Sequence, residues 1–231
     1  MVYYDLHLHS CLSPCGDELM TPNNMINMAK ICGLDLISVT DHNTMRQQKA
    51  CCRCARRQGI DYLCGVEMES REEVHLLAYF PPAMIDPVQQ WLQSHYSGQL
   101  NSIAYFGHQR VMNEWDEIVD EEPQRLLDCL NASLKECVEA VHHFHGKAVL
   151  AHVLNRRNGV IEQLGFIPPD LAVDGIEVAH PSQLEQVRNN SPWAADLPWL
   201  CSSDAYQLTD IQERVAAISE DQAAWLKGER T

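Results

Sequence analysis

The stretch Tyr4-Asp5-Leu6-His7-Leu8-His9-Ser10, in which leucine alternates with histidine, is the most informative segment of the chain. On an extended strand this spacing directs the leucines to one face and both imidazoles to the other. Two imidazoles side by side at a strand end form a chelate, because neutral imidazole is the commonest metal-binding side chain. The stretch therefore predicts a first β-strand that delivers two metal ligands, and the rest of the chain has to complete the site.

Short apolar strands and helical stretches alternate along the chain. A helix is predicted to begin at Thr21-Pro22, a capping residue followed by proline, and to end near Gly33. The predicted strands cover residues 3–9, 35–40, 61–66, 74–80, 147–152, 175–179 and 199–202. This alternation favours βα units and a largely parallel sheet.

One connection departs from this pattern. Only residues 68–74 separate Glu67 from His75, whereas a parallel crossover takes about a dozen or more residues. The two flanking strands are therefore predicted to pair antiparallel, which brings Glu67 and His75 to the same end of the sheet.

The bulk composition excludes several classes of protein. The 231 residues suffice for one large domain or two small ones, and 45% of them are hydrophobic, which suits a globular core. No apolar run approaches the ~20 residues of a membrane span, and the N-terminus lacks the pattern of a signal peptide. A net charge of −15 argues against long DNA or RNA as a partner, which usually meets a basic surface. We therefore expect a cytoplasmic protein without a membrane partner, and the oligomeric state stays open.

The ten cysteines are expected to be reduced, because the chain is longer than small disulfide-rich domains and shows no export signal. Cys51, Cys52 and Cys54 form the densest group and are expected to be buried or half-buried thiols, with a metal or redox role as the alternative. Cys11 and Cys15 follow the histidine pair, so a role as a ligand or as a site of oxidation stays open for them.

Residues 81–145 form a long acidic stretch without a strong strand signal. We predict a single domain over 1–231 in which 81–145 is a helical insertion or cap. An ordinary run of outer helices is the alternative for this stretch.

Charged or imidazole side chains follow the predicted apolar strands repeatedly. In parallel α/β barrels the carboxyl ends of the strands converge on one face, where active sites form. The candidate metal ligands are His7, His9, Asp17, His42, Glu67, His75, His152 and Asp204. Asp17 is placed by its loop position alone. Asp5 and Asp41 are expected to orient imidazoles through their free ring nitrogens, and His180 to contact substrate or act as an acid.

These motifs resemble the PHP (polymerase and histidinol phosphatase) phosphoesterases. The matching motifs, in the family's order, are His7-Leu8-His9-Ser10, Thr40-Asp41-His42-Asn43-Thr44, Gly65-Val66-Glu67, His75-Leu76-Leu77-Ala78-Tyr79, Ala151-His152 and Ser203-Asp204-Ala205. The resemblance implies an α/β fold, a distorted TIM-like (β/α)7 barrel with a helical insertion, and a cluster of two or three divalent metal ions. By position, it implies a first metal on His7, His9, Glu67 and Asp204, a second on Asp17 and His42, and a third on His75, His152 and the bridging Glu67.

The chain departs from the family pattern at the last motif. The family usually reads Ser-Asp-Ala-His, and this chain has Tyr206 in the place of the histidine. A phenol with its ordinary pKa near ~10 is a poor ligand, so Tyr206 is expected beside the metals rather than on them. The second metal is then bound more weakly, completed by water, or held partly by His180. A second departure, Val153 where a proline commonly follows the histidine, concerns only the backbone.

The resemblance implies a metal-dependent phosphoesterase that hydrolyses a small phosphorylated metabolite or nucleotide. The nucleophile is a metal-bridging hydroxide, because bound cations lower the pKa of water towards ~7. Imidazoles and carboxylates without thiolates suit zinc, manganese or iron. Arg156 and Arg157 follow His152 closely and are expected to donate fork-like hydrogen bonds to the phosphate.

Three alternatives stay open. A non-catalytic or weakly active PHP domain would bind metal as a structural or regulatory module, with Tyr206 as the trace of a lost site. An amidohydrolase would share the barrel and the metals but often adds a carboxylated lysine at a strand end, and no predicted strand here ends in lysine. A nuclease acting on polymer ends conflicts with the acidic charge balance.

Overall fold

The computed structural model describes residues 1–214 and 216–228. The strands are β1 Val2–Leu8, β2 Leu36–Val39, β3 Asp61–Tyr62, β4 Cys64–Glu69, β5 His75–Phe80, β6 Arg110–Met112, β7 Ile118–Glu121, β8 Lys147–Leu150, β9 Gly175–Glu177, β10 Trp199–Leu200 and β11 Ala217–Ile218. The helices are α1 Pro22–Ile31, α2 Gln48–Gln58, α3 Ile85–Ser94, α4 Ile103–Phe106, α5 Leu134–His143, α6 Val160–Leu164, α7 Leu184–Asn190 and α8 Glu220–Leu226. Strands and helices alternate through much of the chain, so the predicted mixed α/β class is confirmed.

The strands pair into two main sheets and one separate hairpin. The first sheet has the order β11-β1-β2-β3, and the second has the order β10-β9-β8-β5-β4. Isolated parallel bridges join Leu8 to Ala205 and His42 to Glu67, and these bridges link the two sheets. Within residues 1–214 and 216–228 the paired strands do not close into one ring, so the predicted distorted (β/α)7 barrel is not confirmed.

The predicted antiparallel hairpin is confirmed in β4 and β5. These strands pair from Cys64 with Phe80 to Glu69 with His75. The single strand predicted over 61–66 is wrong, because Asp61–Tyr62 pairs with β2 in the first sheet and the chain then enters the second sheet at Cys64. At this crossing the two sheets are in close contact, since a methyl group on Gly65 would lie 2.5 Å from Ser38 Oγ.

Helix α1 begins and ends as its sequence predicts. The hydroxyl of Thr21 accepts a hydrogen bond from the Asn24 N–H at 3.3 Å, and Pro22 fills the first turn. Gly33 follows the helix at φ +73°, a conformation that glycine adopts without strain. Buried side chains of α1 pack against α2, where Cys51 and Cys54 lie in the core.

Residues 81–145 contain α3, α4 and α5 but also the β6–β7 hairpin, so the stretch is not helical throughout. The side-chain oxygen of Asn113 accepts hydrogen bonds from the N–H groups of Trp115 and Glu117, and Asp116 takes φ +60°, which together form the turn of the hairpin. Helix α5 packs on β5 and β8 as an outer helix does. The assignment of 81–145 as a cap on a single domain stays a prediction.

The core fixes where the strand ends lie. Leu6 and Leu8 of β1 are fully buried among apolar side chains, as the alternating pattern predicts, and His7 is buried on the opposite face. The largest apolar cluster packs α3 and α5 against β4, β5 and β8. None of the helices in the described residues has the length and apolar character that a bilayer crossing requires.

Candidate metal centre

Side chains from both sheets converge at one edge, where several strands end. We call them the histidine–carboxylate cluster. Its members are His7, His9, His42, Glu67, His75, His152 and Asp204. Most of them lie at the end of a strand or in the few residues that follow one, whereas Glu67 lies within β4 and His75 is the first residue of β5.

Glu67 is the central residue of the histidine–carboxylate cluster. Its Oε1 lies 2.8 Å from His75 Nδ1 and 3.3 Å from both His7 Nε2 and His152 Nε2. The side chain is almost wholly buried, with 1% of its surface exposed. The antiparallel β4–β5 pairing brings Glu67 and His75 together, which is the consequence expected of the short connection between them.

The second oxygen of Glu67 faces the other half of the cluster. Glu67 Oε2 lies 3.2 Å from His9 Nε2 and 3.2 Å from His42 Nδ1. Asp204 Oδ1 lies 3.3 Å from His7 Nε2 and 3.4 Å from His9 Nε2. A single carboxylate therefore contacts two sets of imidazoles, the arrangement that a ligand bridging two cations requires.

Several polar atoms in the cluster have no hydrogen-bond partner among the described residues. Buried atoms in this state are His42 Nδ1, Glu67 Oε2, His152 Nδ1 and Asp204 Oδ1. In addition, His7 Nε2 lies 3.2 Å from His9 Nε2, and His75 Nδ1 lies 3.2 Å from His152 Nε2. Burying unpaired polar atoms is unfavourable, and a divalent cation between these lone pairs would satisfy them. The residues therefore fit a metal centre.

Ligand atoms converge in three overlapping groups within the described part of the chain. In each group the nitrogen, oxygen or sulfur atoms lie within 4.8 Å of one another. The groups are His7, His9 and Asp204; His42, Glu67 and His75; and His9, Cys15 and His42.

The electrostatics of the cluster keep its carboxylates ionised. Burial opposes the charge of Glu67, but His75, His7 and His42 outweigh burial and hold the pKa of this carboxyl well below its ordinary range. Burial, with repulsion from neighbouring imidazoles, outweighs the attraction of Glu67 and holds the pKa of His42 well below its usual value. Burial also disfavours the charged form of His75, yet Glu67 and Glu69 raise its pKa to about 9. The pKa values of His7 and His9 are raised as well. A cation therefore meets ionised carboxylates and a neutral His42, and has to displace protons from the other imidazoles, His75 among them.

Glu177, at the end of β9, is a functional candidate that the sequence analysis missed. Its Oε2 lies 3.0 Å from His7 Nδ1 and accepts the backbone N–H of His152 at 3.0 Å. A carboxylate on the free ring nitrogen of a ligand histidine fixes the ring and raises its basicity. The sequence contains a signal for it, because Glu177 is the charged last residue of the short strand Gly175–Glu177, and most of the other candidates also lie at or just after strand ends.

Asp5 and Asp41 are buried, but they order the backbone around the cluster rather than the imidazoles. Asp41 accepts hydrogen bonds of 2.7 Å from the Ser10 N–H, the Ser10 hydroxyl and the Ser13 hydroxyl. Ser13 Oγ in turn lies 3.3 Å from His9 Nδ1. Asp5 accepts the Ser203 N–H at 3.1 Å, next to Asp204.

Asp17 and His180 lie outside the three groups. The carboxylate of Asp17 is exposed and accepts the Leu19 N–H at 2.8 Å. His180 is also exposed, and its Nδ1 accepts the Ser182 N–H at 3.2 Å at the start of a 3-10 turn. Neither side chain has a hydrogen bond or ion pair to the histidine–carboxylate cluster among the described residues. The role of Asp17 as a ligand and that of His180 as an acid or substrate contact stay predictions.

Tyr206 contacts the histidine–carboxylate cluster through its aromatic ring. Its ring stacks on His9 with 4.7 Å between ring centroids and 3° between planes. Burial raises the pKa of the Tyr206 phenol above its ordinary value, so the hydroxyl stays neutral at physiological pH. The stacked ring restricts the orientation of the His9 imidazole.

The adjacent residues Arg156 and Arg157 pair with different carboxylates. Arg156 Nη2 lies 3.2 Å from Asp204 Oδ2, and about half of its side chain is exposed. Arg157 Nη2 lies 3.7 Å from Glu73 Oε2, away from the cluster, with 86% of its side chain exposed. Only Arg156 is therefore next to the candidate ligands, although the two were predicted to act alike.

Comparison with known proteins identifies the family. The PHP domain model matches residues 5–163, which is more than half of the chain. The chain belongs to the PHP domain family. The match includes the histidine–carboxylate cluster except for Asp204, which comes later in the sequence.

Solved structures share the fold of this PHP chain. A proposed metal-dependent phosphoesterase from Bifidobacterium adolescentis is 17% identical, with a TM-score of 0.62 over 88% of this chain and 87% of that one. An amidohydrolase from Chromobacterium violaceum is 19% identical, with a TM-score of 0.62 over 91% of this chain and 90% of that one. A lesion-specific endonuclease from Pyrococcus furiosus is 19% identical, with a TM-score of 0.63. The superposition covers 90% of this PHP chain and 49% of the endonuclease.

An uncharacterised protein from Methanocaldococcus jannaschii is also similar in sequence. It is 29% identical over 29% of this chain and 44% of its own length. The PHP chain thus spans less than half of that relative. The likeness to the solved structures shows a shared fold.

Proposed function

We propose that this PHP domain binds two or three divalent cations in the histidine–carboxylate cluster and hydrolyses phosphate esters. The observation that carries the proposal is Glu67, a buried carboxylate with five imidazoles within 3.3 Å. Hydrogen bonds alone do not explain this crowding, since buried atoms in the cluster lack partners among the described residues. Zinc, manganese and iron all suit such imidazole and carboxylate ligands.

By the family resemblance, His7, His9, Glu67 and Asp204 would hold the first cation, and Asp17 and His42 the second. Glu67, His75 and His152 would hold the third. When bound, the cations supply Lewis acidity that activates water and neutralises charge on a phosphoryl group. Glu67 holds the neighbouring sites together, and Glu177 keeps the His7 ring oriented by accepting its Nδ1–H.

Arg156 supports a phosphate ester as the substrate. Its guanidinium lies at the exposed edge of the cluster and pairs with Asp204, so it can turn from that carboxylate to an incoming phosphate. Guanidinium groups bind phosphate oxygens through two parallel hydrogen bonds. A substrate phosphate would then lie between Arg156 and the ligand atoms, in position for hydrolysis.

The charge of the chain supports a small substrate rather than duplex DNA. The net charge is −15, whereas phosphate backbones are usually bound by basic surfaces. The endonuclease with the same fold is about twice as long as this chain, and this chain corresponds to 49% of it. We therefore propose a phosphorylated metabolite or a nucleotide as the substrate class.

The amidohydrolase fold relative supports a second candidate, hydrolysis of a C–N bond. Metal centres of that class often include a carboxylated lysine. The lysine side chains bond to groups outside the histidine–carboxylate cluster at Lys30, Lys49, Lys147 and Lys227. The fifth lysine, Lys135, is exposed on α5. This favours the phosphoesterase.

All ten cysteines are free thiols, as a reducing compartment would keep them. This supports a cytoplasmic location.

The test combines metal analysis with a substrate panel. Purified protein is assayed for zinc, manganese and iron and for hydrolysis of p-nitrophenyl phosphate, its bis ester, nucleotides, sugar phosphates, an abasic DNA duplex and amides. We expect bound metal and turnover of small phosphate esters, both lost in Glu67→Gln and retained in His143→Ala, which alters an exposed histidine away from the cluster. Metal without turnover would favour the structural or regulatory module instead, and turnover of amides alone would favour the amidohydrolase.

A further inference from the structure

The loop after the histidine pair brings a thiol to the metal centre. Cys15 contributes its sulfur to the group with His9 and His42, in which the ligand atoms lie within 4.8 Å of one another. Zinc-bound sulfur and nitrogen atoms are roughly 3.5 Å apart in a tetrahedral site. Modest side-chain movements therefore suffice for Cys15 and His42 to share one ion beside His9.

The position of Cys15 is fixed by the backbone of its loop. The Ser13 N–H donates to Ser10 O at 3.0 Å, and the Gly16 N–H donates to Ser13 O at 2.9 Å. A methyl group on Gly16 would lie 2.3 Å from Ser10 O, so the loop packs tightly at the residue after the thiol. The Asp41 carboxylate accepts hydrogen bonds from the hydroxyls of Ser10 and Ser13, which lie in this loop. The fold thus specifies where Cys15 lies.

The two side chains that the family pattern offers for the second metal do not complete it here. Asp17 is exposed, as Cys15 is, but its carboxylate already caps a turn by accepting the Leu19 N–H. Tyr206 replaces the expected histidine and stacks on His9. His42 would then lack an anionic partner of its own, because the carboxylate of Glu67 is shared with four other imidazoles.

We propose that Cys15 and His42 hold the second cation beside His9, which binds the first, and that the sulfur makes this site select zinc over manganese or magnesium. The inference rests on the proposed function, since it presumes the metal centre. Thiolate is a soft ligand that zinc accepts readily, whereas manganese and magnesium prefer oxygen ligands. Of the three groups in the described residues, Cys15 belongs to this one alone, while His9 and His42 are shared. Removal of the thiol therefore affects one ion and spares the others.

Cobalt(II) titration tests this assignment without relying on catalysis. A cobalt–thiolate bond gives a charge-transfer band in the near ultraviolet, which imidazole and carboxylate ligands do not produce. We expect the band in the wild-type protein and its loss in Cys15→Ser and Cys15→Ala. Cys11→Ala is the matched control, because Cys11 lies in the same loop with its sulfur 3.6 Å from Met112 Sδ. Asp17→Asn should also keep the band.

Zinc binding gives the second readout. Cys15→Ser should bind one equivalent of zinc fewer, or bind that ion at least roughly 10- to 100-fold more weakly, since loss of a direct ligand exceeds the usual effect of loss of a supporting group. The visible ligand-field bands of the remaining cobalt ions should persist, which shows that the variant is folded.

The outcomes separate this inference from the proposed function. Cobalt uptake without a thiolate band in the wild type, or an unchanged band in Cys15→Ser, would overturn the role of Cys15 and leave the metal centre intact. Loss of an ion in Asp17→Asn, with the Cys15 variants unchanged, would assign the site to the carboxylate. Failure of the wild type to bind any cation would overturn both proposals.

Discussion

Replacing Glu177 by glutamine tests how the metal ligands are oriented. The carboxylate contacts His7 Nδ1 at 3.0 and 3.2 Å and accepts the His152 N–H at 3.0 Å, with 2% of the residue exposed. Glutamine keeps the shape and one acceptor oxygen but removes the charge. Loss of such a supporting group weakens metal binding or activity by roughly 10- to 100-fold, which corresponds to about 1.4–2.7 kcal/mol.

The alanine variant separates charge from hydrogen bonding. Glu177→Ala also leaves the buried His152 N–H without its acceptor, so the free energy of unfolding should fall by about 1–3 kcal/mol in addition. Zinc affinity is measured by competition with a chromophoric chelator, and stability by urea unfolding in the presence of a strong chelator. Glu185→Gln, an exposed carboxylate on α7, is the control. Zinc affinity in Glu177→Gln within twofold of the wild type would refute the orienting role.

Three further predictions concern the substrate, the pH and the fold. Arg156→Ala should raise the KM for a phosphate ester by roughly 10-fold or more, because a charged hydrogen bond contributes about 1.5–3 kcal/mol, whereas Arg157→Ala should leave steady-state kinetics unchanged. Zinc affinity should rise between about pH 6 and about pH 8, because the ion displaces a proton from His75, whose pKa is about 9; calorimetry in two buffers detects the released proton. With a strong chelator present, the pH dependence of folding stability has the opposite sign to that of zinc affinity. Charged His75 contributes fully to the free energy of unfolding below its unfolded pKa of 6.5, and this contribution is lost as the pH rises through about 9. Gly65→Ala should lower the free energy of unfolding by about 1–3 kcal/mol, since the new methyl group would lie 2.5 Å from Ser38 Oγ; thermal unfolding checks this.

Sequence periodicity accounts for much of the centre. The alternation in β1 buries Leu6 and Leu8 and sets His7 apart from them, because side chains of a strand point to opposite faces. The short connection between Glu67 and His75 forces an antiparallel pair for the same kind of local reason.

Long-range contacts account for what the sequence does not reveal. The chain leaves one sheet and enters the other between Tyr62 and Cys64, and only the pairing of β3 with β2 and of β4 with β5 decides that point. In the β6–β7 hairpin the adjacent residues Ile118 and Val119 are both exposed. The hairpin therefore lacks an alternating apolar pattern, and its sequence resembles a polar helical stretch.

Loop residues are the hardest to assign from spacing. Asp17 and Cys15 are two positions apart in the sequence. Cys15 lies near His9 and His42, in a loop whose serine hydroxyls donate to Asp41, and spacing alone does not predict this. Glu177, by contrast, could have been predicted from the sequence, because it is the last residue of a strand.

Anomalous X-ray diffraction from crystals grown with zinc tests the metal centre most directly. Data collected on both sides of the zinc absorption edge would locate each ion. We expect two or three peaks, one of them between Glu67, His75 and His152 and another beside His7 and Asp204. Crystals that show no peak among these side chains, or zinc bound only at surface residues elsewhere, would contradict the metal centre.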